Sequence, residues 1–146
     1  MASMKLLLIQ GANMQALGHR QTELYGTTSA PELDALLLRR AEELGVVLDI
    51  VYTNHEGEAI SRIRQADGNG IDGVLFNPAG FLHAGLGLRD CLQAIAAPAI
   101  EIHMTNIEKR GRRSVTADVA VASIAGFGAD SYLLALEAMV ARLQKA

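Results

Sequence analysis

The sequence predicts a single doubly wound α/β domain, in which helices cover both faces of a parallel sheet. Two observations predict it. Short apolar runs alternate with segments of helical period, and the connections between them are brief, so right-handed crossovers between parallel strands are the expected geometry. The chain has 146 residues, of which 50% are apolar and 20% charged, enough for one core and too few for two. No repeat, low-complexity tract or linker divides residues 1–146.

Lys5–Gln10 (KLLLIQ) is a continuous apolar run of the kind buried on both faces of a parallel sheet. Gly11 to Thr28 is polar and punctuated by glycine, without a period. Ser29 as cap and Pro31 in the first turn open a helix, and Glu32 and Asp34 suit the positive end of its dipole. That helix runs through Leu33, Leu36, Leu37 and Leu44 and stops at Gly45. Val46–Tyr52 reads as the second strand, and Glu56–Ala66 as a helix with Ile60 and Ile63 inward, ended by the loop Asp67–Gly70. Gly73–Phe76 is the third strand and Leu86–Ala96 the next helix. Ala99–Ile102, introduced by Pro98, is the fourth strand, Val119–Ile124 the fifth, and Ala129–Leu143 the last helix.

Composition excludes several classes of function. A net charge of -3 argues against nucleic acid or an anionic membrane as the main partner. No apolar run approaches the roughly 20 residues that span a bilayer. Met4–Ile9 is too short for a secretory signal and leads into a glycine loop, so a cytoplasmic protein is expected. The lone cysteine, Cys91, permits no internal disulfide and reads as a buried filler on a helix. The four histidines are scattered without an i, i+4 pair, so no zinc site is expected. The Gly11–Gly18 stretch after the first strand has neither a GxGxxG nor a GxxxxGK[ST] pattern and the chain has no GxSxG, so no nucleotide cofactor and no serine elbow is indicated.

In a doubly wound sheet, ligands bind outside the carboxyl ends of the strands. That rule selects Gly11–Thr28, Thr53–Gly57, Asn77–Ala84 and His103–Ser114. These segments carry Asn13, Arg20, Tyr25, Asn77, His83 and His103. Taken singly, a tyrosine in a loop packs more often than it reacts, and Asn77-Pro78 is a common turn dipeptide. Together, at one edge of the sheet, the amides and imidazoles suit a polyhydroxylated small molecule. The chemistry left open is proton transfer by Tyr25, His83 and His103 without a cofactor.

The stretches GANMQALG, RQTELYG, NHEGE (Asn54–Glu58), FNPAGFLH, LRD (Leu88–Asp90), EIHMTN and GFGADSYLLALEA resemble, in this order and spacing, the type II 3-dehydroquinate dehydratases. The resemblance implies a flavodoxin-like three-layer sandwich with a five-stranded parallel sheet, a homododecamer built as four trimers, and conversion of 3-dehydroquinate to 3-dehydroshikimate. That elimination serves both aromatic biosynthesis and quinate breakdown. The resemblance makes Tyr25 the catalytic base, with Arg20 on the same mobile loop, and His103 the general acid, with Glu101 beside it. Asn13 would help hold the water that stabilises the enolate. Asn77 and the backbone amides of Met104 and Thr105 would hold the substrate carboxylate and tertiary hydroxyl. His83 and an arginine of the later loop would take the ring hydroxyls, and Asp90 would reach a neighbouring subunit's site. An unperturbed phenol keeps its proton at neutral pH, and a guanidinium such as that of Arg20 favours the phenolate.

The chain departs from the family's pattern in places. Ala12 and Thr22 stand where proline is usual, and Leu82-His83-Ala84-Gly85 replaces a Thr-His-Thr-Ser segment. The family's stretch between the residues matching Arg110 and Ser114 is a few residues longer than Gly111-Arg112-Arg113. Either Arg112 or Arg113 therefore replaces the ring-binding arginine, and Arg112 is assigned here. The same departures leave a second reading: a divergent binding paralogue without the reaction, or a lyase of a related hydroxylated cyclohexanone.

Overall fold

The computed structural model describes residues 3–146. Five parallel strands, β1 (Lys5–Ala12), β2 (Val47–Tyr52), β3 (Gly73–Ala79), β4 (Ala99–His103) and β5 (Ala122–Ala125), form one sheet in the order β2-β1-β3-β4-β5. Helices α2 (Ala30–Leu44) and α5 (Asp130–Gln144) cover one face, and α3 (Glu56–Gly68) and α4 (Leu86–Ala94) the other. A short helix, α1 (Thr22–Tyr25), lies in the loop after β1. This is the flavodoxin-like order that the resemblance implies.

Alternation along the central strands feeds two cores. Leu6 and Leu8 of β1, Leu75 of β3 and Ile100 and Ile102 of β4 pack against α2 and α5. Leu7, Ile9, Val74, Phe76 and Ala99 pack against α3 and α4. Cys91 is buried in that second core, and burial pushes its thiol up. The start of α2 is fixed by a reciprocal capping box. Ser29 Oγ accepts the Glu32 N–H, and Glu32 Oε1 accepts the Ser29 N–H, each at 3.3 Å. The helix ends at Gly45, whose φ of 71° is left-handed. Leu33, Leu37 and Ala41 face inward, whereas Leu36 is 39% exposed because it lies a quarter-turn off that stripe.

Several element ends differ from the sequence expectation, and five of them have a tertiary reason. Val46 stays with the end of α2, its N–H bound to the Ala41 carbonyl at 3.0 Å, so β2 starts at Val47. The helix predicted to reach Ala96 stops at Ala94. Ile95 is extended, and the Asp67 carboxylate takes the N–H groups of Ala96 and Ala97. The strand predicted to open at Val119 opens at Ala122, where pairing with Ile100 begins, and Ala117–Val119 forms a 3-10 turn. Strands β1 and β3 run beyond Gln10 and Phe76 to pair Ala12 with Ala79. Gly11 permits that approach: a Cβ there would stand 2.3 Å from the Pro78 carbonyl oxygen. Among the described residues, no helix is long and apolar enough to cross a membrane.

Candidate active site

The chain leaves β1 toward β2 on one side and β3 on the other, so the switch point lies at the carboxyl ends of β1 and β3. A cleft of about 300 Å³ opens there. Each wall comes from a strand end or from the loop that follows one. Asn13 follows β1, Asn77 and Ala79 end β3 with Gly80 after them, and His103 ends β4 ahead of Met104 and Thr105. Arg20, Tyr25, Arg110 and Arg112 close the mouth. Among the described residues the lining holds three guanidiniums and no carboxylate, which suits an anionic ligand.

The His103 wall is built from inside the protein. His103 and Glu101 alternate on β4, so both project on the face of α3 and α4. Glu101 has no exposure, and its Oε2 lies 2.6 Å from His103 Nε2. Its Oε1 accepts from Ser114 Oγ at 2.8 Å and from the Thr116 hydroxyl. A carboxylate facing Nε2 requires a proton there, so the ring is held in one orientation with Nδ1 left for the cleft it lines. Such a ring can hand a proton to a departing hydroxyl.

The floor is made of amides in strained backbone. Asn13 adopts a left-handed φ of 74°, and its N–H donates to Asn54 Oδ1 at 2.9 Å. Its side chain caps nothing and stays available to a ligand or water. Ala79 carries a φ of 46°, a conformation that costs an alanine of order 1–3 kcal/mol unless the surroundings enforce it. Asn77 Oδ1 does so by accepting the Ala79 N–H at 2.9 Å. Asn77 Nδ2 in turn donates to Tyr132 Oη at 2.7 Å.

The Tyr25 wall is held by cations. The guanidinium carbon of Arg20 lies 5.3 Å from the ring centre and that of Arg110 lies 5.7 Å from it. Arg110 Nη1 donates to Tyr25 Oη at 3.4 Å and to Thr105 Oγ1 at 3.0 Å. Arg110 therefore bridges the loop carrying Tyr25 and the end of β4. The Tyr25 phenol is thus flanked by two guanidiniums at the mouth of the cleft.

Of the residues singled out from the sequence, Asn13, Arg20, Tyr25, Asn77, His103, Met104, Thr105 and Arg112 line the cleft, and Glu101 stands directly behind it. Arg113 is not among the lining residues. His83 and Asp90 are exposed and lie outside the cleft of a single chain. His83 lies in the turn after β3, and Asp90 lies on α4. Sequence reasoning assigned no role to Arg110, Ser114, Thr116 or Asn54, nor to the buried pair Gln10 and Tyr132. For Arg110 the available signal was its place in the loop after β4. For Gln10 and Tyr132 it was a polar side chain inside an apolar run.

Residues 4–140 match the family model of dehydroquinase class II. A 3-dehydroquinate dehydratase of Geotalea daltonii is 40% identical over 145 residues, covering 97% of this chain and 100% of that relative. One of Desulforudis audaxviator is 44% identical over 140 residues, covering 94% and 93%. The crystal structure of type II dehydroquinase from Butyrivibrio crossotus superposes with a TM-score of 0.91 at 30% identity, covering 94% of this chain and 97% of that one.

Proposed function

The chain belongs to the class II dehydroquinase family, and from that membership we propose that it is a hydro-lyase, eliminating water from 3-dehydroquinate to give 3-dehydroshikimate. One observation carries the reading beyond membership. A phenol between two guanidiniums and an imidazole backed by a buried carboxylate line the same cleft. A pure binder has no use for that pairing.

Tyr25, as phenolate, removes the proton alpha to the ketone. The resulting enolate is stabilised by a donor held in place before the reaction, which the free Asn13 amide supplies through a water. His103, as imidazolium, gives its proton to the departing C1 hydroxyl, which leaves as water. The electrons released by the C–H bond form the new double bond, so no cofactor is required. Arg20 and Arg110 flank the Tyr25 ring and hold it in place, while Asn77 and the amides of Met104 and Thr105 hold the carboxylate end. Arg112, which lines the cleft, takes the ring hydroxyls.

His83 and Asp90 have no place in the cleft of one chain, and the reading gives them a role in an assembly. We infer a homododecamer of four trimers in the cytoplasm, in which Asp90 serves a neighbouring site. The β5 edge of the sheet supports assembly: Val121 and Phe127, which flank it, are 44% and 63% exposed. Light scattering tests this, and a monomer would remove the role given to Asp90.

The reaction itself is tested by adding 3-dehydroquinate to purified protein and following the rise of enone absorbance. Turnover is expected. Thermal stabilisation by dehydroquinate without product would instead mark a binding paralogue and end the dehydratase reading.

A further inference from the structure

Behind the cleft floor, three side chains from three elements form a hydrogen-bonded string. Gln10 of β1 and Asn77 of β3 are register partners, so their side chains project together on the face covered by α2 and α5. Tyr132, near the start of α5, lies against both. Its hydroxyl donates to Gln10 Oε1 at 2.7 Å and accepts from Asn77 Nδ2 at 2.7 Å. Gln10 and Tyr132 have no exposure, and Asn77, 5% exposed, is the member that reaches the cleft. The Gln10 Nε2 is buried without a partner.

A carboxamide has a donor end and an acceptor end of nearly the same shape, so its partners alone decide which end points where. The Tyr132 hydroxyl has one proton, and that proton is committed to Gln10. Toward Asn77 it can only accept, which turns Nδ2 to it. Burial pushes the Tyr132 phenol well above its ordinary value, so the hydroxyl keeps its proton. Asn77 Oδ1 is occupied by the Ala79 N–H. The second Nδ2 hydrogen is donated to Met14 Sδ at 3.7 Å, a weak acceptor on the cleft floor that a substrate oxygen can displace.

We propose that Gln10 and Tyr132 are positioning residues that lock the polarity of the Asn77 carboxamide, so that the cleft floor presents an N–H donor to a substrate oxygen. The inference rests on the reading of this cleft as the 3-dehydroquinate site. Neither residue touches substrate. Both act through Asn77, which contacts it before and during the reaction alike, so their loss falls on KM rather than kcat.

The test is steady-state kinetics on the assembled enzyme with Tyr132→Phe, Gln10→Met and the double variant, each with its melting curve. Tyr132→Phe should raise KM about tenfold with kcat within about twofold of wild type. Gln10→Met, which frees the Tyr132 proton to compete for the Asn77 oxygen, should do the same. The double variant should be no worse than either single one, as members of one string are not additive. A merely structural role would lower the active fraction, so a fall in kcat at unchanged KM overturns the assignment. Additive effects on KM overturn it too. Absence of turnover by wild type removes the dehydratase reading itself, whereas an active wild type with an unmoved KM in both single variants removes this inference alone.

Discussion

His103 sits at the end of a buried strand with its ring held by a carboxylate 2.6 Å away, whereas Tyr25 closes a short helix at the surface and meets its nearest guanidinium at 3.4 Å. The carboxylate behind His103 is itself fixed by two hydroxyls, from Ser114 and Thr116. The supports of Tyr25 are two half-exposed arginines, one from its own loop and one from the loop after β4. The proposed reaction needs both groups, yet folding finishes only one of them. The proposed acid is preorganised by the core, whereas the proposed base depends on loops at the cleft mouth. Changes at the acid end should therefore cost stability and rate together, and changes at the base end rate alone.

The largest effect should come from Tyr25→Phe. Loss of a general base removes about 10³-fold in kcat, and the melting temperature should stay near wild type because only a long, half-exposed hydrogen bond is lost. A melting point several degrees lower would show that the base end is built into the core after all. Glu101→Ala comes next. It removes the buried acceptor shared by the imidazole and two hydroxyls, which should destabilise the fold by roughly 3 kcal/mol in urea titration and also depress kcat. Loss of activity at an unchanged urea midpoint would break the comparison from the other side.

Arg110→Ala should follow, lowering kcat about 30-fold with little change in stability, since one guanidinium holds the Tyr25 hydroxyl and the residue after β4 at once. Arg110→Lys keeps the charge but not the forked geometry, and should recover only part of the loss. If Arg20→Ala costs far more than Arg110→Ala, the bridge to Thr105 matters less than the lid's own cation. The comparison would then sharpen to the lid alone.

How much the sequence disclosed follows the same division. Every strand and the main helices were legible because each is an apolar run or a 3.6-residue stripe, and the strand-end rule led directly to Asn13, Tyr25, Asn77 and His103. Element ends were not legible where a distant group sets them, as Asp67 does for Ala96 and Ala97. Arg110 stood among Lys109, Arg112 and Arg113 with nothing in the spacing to distinguish it; only the fold brings it back onto Tyr25. Gln10 and Tyr132 were hidden for the opposite reason, since a polar side chain inside a buried strand declares its partner only when the helix that carries it is packed in place.

The smallest effect, and the most discriminating, belongs to Gly18→Ala. Gly18 has a φ of +87°, and a Cβ there would stand 2.9 Å from the Ser29 Cα at the start of α2. Alanine is strained in that backbone region and crowded by a neighbour that cannot swing aside, because Ser29 is fixed in its capping box. The strain should amount to roughly 1–2 kcal/mol, and it falls on the loop that carries Arg20 and Tyr25 rather than on the sheet. The expected outcome is a fivefold or so loss of kcat/KM, read as about 1 kcal/mol of transition-state stabilisation. Amide hydrogen exchange should quicken over residues 13–28 and stay unchanged along β4. Faster exchange at Glu101 or His103 would mean that the two ends of the site open as one unit, and the division between a finished acid and an assembled base would fail.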